Sequence, residues 1–174
     1  ITHEIIKRLP QDKPVYLGQC APTGQTPFAP VYDILRQASG TKGPPEAVLQ
    51  TFAHLCDPHR LASVLAPIAN HTDTLQRALE ERELLLDLLR VLQRETGAVY
   101  VIEDVHWVDN GTNGLLQSLT TAPLPFVITA LPTFQASWQR NAGITTIQLA
   151  PLSEAAIHEI VQAHFDTPAS PALS

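Results

Sequence analysis

The sequence predicts an α/β domain built on a parallel sheet. Val99-Tyr-Val-Ile102 is a short run of β-branched and aromatic residues, preceded by Gly97 and ended by Glu103-Asp104. A continuous apolar run of this length reads as a strand buried on both faces, as in parallel sheets. Comparable short runs at 15–18, 126–130 and 145–149 are separated by longer stretches of helical periodicity. Strands that alternate with helices pair in parallel and join through right-handed crossovers.

Composition bounds the rest. Of 174 residues, 44% are hydrophobic and 16% charged, which supports a packed core rather than a disordered chain. The length corresponds to one domain or most of one. A net charge of −6 argues against nucleic-acid contact in this segment, since such contact needs a basic patch. Cys20 and Cys56 stand far apart in no CxxC spacing, and read as reduced thiols of a cytoplasmic protein. No apolar run approaches the ~20 residues of a membrane span, and no signal peptide opens the chain, so no membrane partner is expected. The chain opens in mid-helix style and ends in a Pro/Ala/Ser tail, as a fragment of a longer polypeptide would.

Ile1, Ile5, Ile6 and Leu9 make a helical stripe, and Pro10–Pro14 a turn before the first strand at 15–18. Gly18–Thr26 then follows a strand as a phosphate-binding P-loop would, but that loop needs G-x-x-x-x-G-K-[ST]. Here Gln25 occupies the lysine position, so the segment reads as a strand-to-helix loop. A short helix over Phe28–Gln37 accepts Pro27 and Pro30 in its first turn. Ser39–Pro45 is a linker, and Glu46–Leu55 and His59–Ala66 read as short amphipathic helices. His54, Cys56 and His59 match no zinc spacing.

Thr72 or Asp73 caps a long helix to Thr96, with Leu75, Leu79, Leu85, Leu86, Leu88, Leu89 and Leu92 on one wide apolar face. This helix crosses the sheet and delivers the chain to the central strand. Beyond that strand, Thr112–Leu119 is a helix that Asp109 can cap, and Trp107 reads as a packing residue. Pro125–Ala130 and the alternating Ile144–Leu149 are further strands. Ser153 caps a last helix over Glu154–Phe165, and residues 166–174 read as a linker or tail.

Acids at the carboxyl end of a parallel strand stand where open α/β sheets bind ligands. Four apolar residues followed by Glu103-Asp104 have the form of a Walker B segment; the bland alternative is two solvated acids leading into a loop. The wider stretch, Glu103-Asp-Val-His-Trp-Val-Asp109 with Thr112 and Leu115-Leu116, closely resembles the "hhhhEDxHWxD…T…LL" signature of the STAND regulatory ATPases, which are related to AAA+ proteins. The His-Trp-x-Asp version is that of large LuxR-type transcriptional regulators and multidomain adenylate/guanylate cyclases. Gly18-Gln-Cys20 with Pro27–Arg36, and Leu149–Ser153, resemble other stretches of the same family.

The resemblance implies a P-loop NTPase (ASCE-type) sheet of three-layer architecture with strand order 5-1-4-3-2. The strands at 15–18, 99–103, 126–130 and 145–149 would be numbers 2 to 5. Strand 1, with its Walker A loop, would be missing from between the last two, leaving unpaired edges that invite self-association. Residues 1–165 would form a partial ATPase domain. Its partners would be ATP and the rest of the parent chain, and its cofactors ATP and Mg²⁺, both expected only with the missing Walker A loop present. Glu103 would hold magnesium through water, and Asp104 would polarise the attacking water. His106, Asp109 and Thr129 would lie at the nucleotide; for His106 a loop contact stays open. Relatives often carry a sensor arginine where this chain has Leu131, which puts efficient hydrolysis in doubt. The alternatives are a decayed, non-catalytic scaffold and an unrelated α/β domain whose acids bind another ligand.

Overall fold

The computed structural model describes residues 2–9, 11–23, 26–67, 71–121 and 124–165. Three parallel strands form one sheet in the order β1 (Val15–Gln19), β2 (Val99–Glu103), β3 (Phe126–Ile128). Helix α1 (Thr2–Arg8) precedes β1, and α2 (Ala29–Ser39), α3 (Pro45–Thr51), α4 (Pro58–Leu65) and α5 (His71–Thr96) lie between β1 and β2. Helix α6 (Asn110–Leu119) joins β2 to β3, and α7 (Glu154–Phe165) follows. The protein is therefore a mixed α/β chain with a small parallel sheet and flanking helices.

β2 is central because its sequence can be buried on both faces: Val99, Tyr100, Val101 and Ile102 are all buried. Tyr100 and Ile102 join the main core, with Tyr16, Phe126 and Ile128 of the neighbouring strands packed against it. Val99 and Val101 turn to the opposite face and lie outside that cluster. The Tyr100 hydroxyl donates to the Leu89 carbonyl at 2.7 Å, which satisfies a buried polar group and ties α5 to the sheet. Gly97, at φ 69°, ends α5 in the left-handed conformation that favours glycine.

The apolar face expected along α5 is only partly covered. Leu84, Leu85, Leu86, Leu88, Leu89 and Leu92 are buried, but Leu75 and Leu79 are 73% and 50% exposed. Length explains this. A helix of 26 residues runs about 39 Å, whereas a strand of five spans about 17 Å. The amino-terminal turns of α5 outrun the sheet. The side chains of Thr72 and Asp73, its expected caps, lie outside the described residues.

β1 is sealed by α2. Gly18 lies so close to this helix that a Cβ there would sit 2.1 Å from the Pro30 carbonyl oxygen. Gly18 is thus a packing glycine within a strand, not the start of a phosphate loop. Along the outer edge of β1, Leu17 N–H donates to Gln37 Oε1 at 3.0 Å, and Gln37 Nε2 donates back to the Leu17 carbonyl at 2.5 Å. One side-chain amide replaces a neighbouring strand.

The strand expected at 145–149 does not form. Ile147 and Leu149 are 79% and 58% exposed, and no ladder includes them. The alternating pattern is there, but β propensity is a packing preference, and a strand persists only where a neighbour takes its backbone groups. The chain before it is held elsewhere: Trp138 Nε1 donates to Asn113 Oδ1 at 2.9 Å and Asn141 Nδ2 to Thr120 Oγ1 at 2.6 Å, tying this connection to α6. β3 and the 145–149 segment are therefore not paired with each other. Residues 166–174, the expected tail, lie outside the described residues.

Candidate functional site

The three strands end together, and their tips bring Gln19, Glu103, Asp104 and Thr129 into one group. Gln19 and Glu103 are register partners, and the Cys20 amide extends the ladder to the Glu103 carbonyl at 2.9 Å. Asp104 then turns the chain sharply. Its φ and ψ are 57° and 39°, the left-handed region that a non-glycine residue enters at a cost of about 1–2 kcal/mol. Aspartate is among the few residues that tolerate it, because a short polar side chain can bond locally.

Both neighbouring strands hold this turn. Thr129 N–H donates to the Ile102 carbonyl at 3.1 Å, and Val105 N–H donates to the Thr129 carbonyl at 2.9 Å. Asp104 N–H donates to Thr129 Oγ1 at 3.3 Å. From the other side, Gln19 Nε2 donates to the Asp104 carboxylate at 3.3 Å. Asp104 is thus fixed through its backbone by the end of β3 and through its side chain by the end of β1. Strained backbone held by its surroundings is characteristic of binding and catalytic sites.

A 3₁₀ turn, Val105–Trp107, follows and carries the next predicted residues. Val105 is buried. His106 is half-buried, and its Nδ1 is a buried nitrogen with no hydrogen-bond partner among the described residues. Its ring lies 5.1 Å from that of Trp107. Trp107 is 48% exposed, which corrects the expectation of a packing residue: the tight turn after Asp104 carries it out of the core.

Asp109 is the amino-terminal cap of α6. Its Oδ1 accepts from Thr112 N–H at 2.9 Å and its Oδ2 from the Thr112 hydroxyl at 2.5 Å. Both carboxylate oxygens therefore work for the helix, and Thr112 is fully buried. Between the acids lies Cys20. Burial first, then the charges of Asp109 and Asp104, push its thiol up to about 12, so it is a neutral, unreactive packing group.

Gln19 is a neighbour of the site that the sequence did not single out. A signal for Gln19 existed: it follows the β1 run by one residue, as Glu103 closes the β2 run, so parallel strands set both at the same level.

The donor set fits a hard cation only in part. Among the described residues, no group of three His, Cys, Asp or Glu side chains converges as a metal cage. Magnesium, however, is commonly bound by one or two carboxylates, with water and substrate phosphates supplying the other ligands. Glu103 and Asp104 supply two carboxylates adjacent in sequence at the tip of β2, of which that of Asp104 is held by Gln19 Nε2 at 3.3 Å. Among the described residues, no lysine or arginine is bonded to this group, so cationic compensation for a phosphate does not come from the strand tips themselves. A shallow depression of about 390 Å³ lies over Gln135–Arg140, not over these carboxylates.

No protein-family model and no solved structure matches the chain. It is similar to an uncharacterized protein of Rhizobium meliloti (strain 1021), 28% identical over 156 residues. That match covers 86% of this chain but 14% of the other protein, so the chain spans about a seventh of its relative's length. Among the described residues, no helix is long and apolar enough to cross a membrane.

Proposed function

We propose that the chain is the Walker B half of a STAND-type regulatory ATPase module within a larger cytoplasmic signalling or transcription-regulating protein. The observation that carries the reading is the turn at Asp104: two adjacent carboxylates at the tip of the central strand, one of them braced from both neighbouring strands. The order β1–β2–β3, all parallel, supports it, because the 5-1-4-3-2 sheet of that family places its strands 2, 3 and 4 side by side. The much longer relative is compatible with a segment of a multidomain chain.

Glu103 would hold magnesium through water, and the ion when bound neutralises charge on the triphosphate. Asp104 accepts a hydrogen bond from the attacking water and orients it in line with the γ-phosphate. Gln19 keeps the Asp104 carboxylate in place, and Thr129 fixes the backbone beneath it. His106, with its unpartnered buried nitrogen beside this turn, faces a loop or the nucleotide. Asp109 contributes by fixing α6. Nucleotide occupancy would shift the parent between two states, as in nucleotide switches generally.

Leu131 favours a second reading. It is 52% exposed, where relatives often carry an arginine, and it cannot neutralise phosphate. A scaffold that keeps the fold and has lost turnover would look the same at that position. The test is Mg²⁺-dependent ATP binding and turnover by the polypeptide that carries this segment, with Asp104→Asn and Glu103→Gln. The switch reading predicts that Asp104→Asn abolishes turnover but preserves binding, and that Glu103→Gln weakens both. The scaffold reading predicts no turnover to lose. Turnover unchanged in both variants contradicts the catalytic assignment.

A further inference from the structure

Among the described residues, two that are not glycine take the left-handed conformation: Asp104 and Phe28. A short acid tolerates it; for a bulky aromatic residue it is an outlier that only the surroundings can hold. Phe28, at φ 60° and ψ 17°, opens α2. Its carbonyl accepts from Val31 N–H at 2.9 Å and from Tyr32 N–H at 3.0 Å, so the first turn of the helix locks the strain in. What the conformation achieves is burial: the ring is 1% exposed.

The start of α2 is wedged between two glycines. On one side, a Cβ at Gly18 of β1 would meet the Pro30 carbonyl. On the other, a Cβ at Gly111, in the first turn of α6, would sit 3.0 Å from Phe28 Cζ and 3.0 Å from Asp109 Oδ1. The Phe28 ring therefore lies directly on the turn that Asp109 caps. β1 carries Gln19, the residue after Gly18, whose amide holds Asp104. From Asp104 to Asp109 the chain is tightly wound: Trp107 N–H donates to the Asp104 carbonyl at 2.8 Å and Val108 N–H to the Val105 carbonyl at 3.0 Å. Two supports of Asp104, the tip of β1 and the start of α6, thus meet the first residues of α2.

We propose that Phe28 is a positioning residue for Asp104. Its ring is the stop on which the first turn of α6 seats. Through the Val105–Trp107 turn, that stop fixes where Asp104 stands relative to Gln19. Phe28 acts through Asp104 and touches no substrate. The proposal rests on the ATPase reading for what Asp104 does, whereas the seating itself needs no nucleotide. A side chain that only filled space could be exchanged for another of similar hydrophobicity. A stop is sensitive to length, and leucine falls short of Gly111.

Two measurements separate the seating from the catalysis. In the 174-residue chain, NMR signals of the Gln19 side-chain amide and of the Asp104 and Val105 backbone amides are expected to shift in two variants. Phe28→Leu shortens the stop, and Gly111→Ala keeps the ring and presses on it. Shifts confined to the neighbours of Phe28 and to residues 109–113 overturn the proposal. In the polypeptide that carries this segment with its Walker A loop, Phe28→Leu is expected to lower kcat for Mg²⁺-dependent ATP turnover about ten-fold or more and to leave KM within about two-fold. Adding Gly111→Ala to Phe28→Leu returns a methyl group to the gap and is expected to recover part of the loss. An unsubstituted polypeptide without turnover refutes the ATPase reading, and the NMR shifts then decide the seating alone. A loss confined to the unfolding midpoint, with kcat and the three signals unchanged, overturns the proposal.

Discussion

The two edges of the sheet are built differently. At β1 the helix side is packed to contact: Gly18 admits the Pro30 backbone, and the Gln37 amide answers both polar groups of Leu17. At β3 three half-buried residues end in open backbone, and the following segment, with β-branched alternation, stands exposed. The same sheet is thus finished on one side and unfinished on the other. Closure is local at β1, supplied by the helix that follows it in sequence. At β3, among the described residues, nothing pairs with the outer side. The acid pair sits on the central strand between these edges, braced by both.

The difference should be visible in stability. The largest effect is expected at Gly18→Val, which drives side-chain atoms into the Pro30 carbonyl; thermal or urea unfolding should show a loss of about 3 kcal/mol or more. Gln37→Leu comes next. It leaves the exposed edge groups of Leu17 to water, and a loss of about 0.5–1.5 kcal/mol is expected. Ile128→Pro at the opposite edge should cost under about 1 kcal/mol, since no ladder bond is broken. Equal costs for Gln37→Leu and Ile128→Pro would erase the contrast between the edges.

A smaller effect concerns pH. Tyr32 of α2 donates to Glu81 of α5 at 2.5 Å. Burial raises the Glu81 carboxyl above its ordinary value of 4.5, against the Tyr32 hydrogen bond and Arg77, which lower it, while Glu46 of α3 adds to the rise. A carboxyl whose folded pKa is raised lends stability that is full below the ordinary value and is lost as pH rises through the folded one. Unfolding midpoints should therefore decline over that interval, and Glu81→Gln, which keeps an acceptor for Tyr32, should flatten the decline. An unchanged pH profile would place the titration elsewhere.

How much of this the sequence disclosed follows from the range of each interaction. β2 was legible because burial on both faces leaves an uninterrupted apolar run, and α6 because Asp109 and Thr112 form a local cap. The strand at 145–149 misled because its alternation is local while its ladder is not. Leu75 and Leu79 misled because helical periodicity gives a face, not what covers it. The bend at Asp104 and the grip of Gln19 were invisible, since they depend on how the ends of β1 and β3 meet residues far off in the chain. The acids could be found by spacing; their bracing could not.

Paramagnetic line broadening by Mn²⁺ in the presence of ATP, on the polypeptide that carries this segment together with its Walker A loop, tests the site most directly, because Mn²⁺ takes magnesium's place and reports by distance. Backbone signals of Gln19, Cys20, Glu103–His106 and Thr129 are expected to broaden first, and Glu103→Gln to diminish the effect. Broadening confined to the exposed acids of α5, or spread without preference for the strand tips, would contradict this assignment.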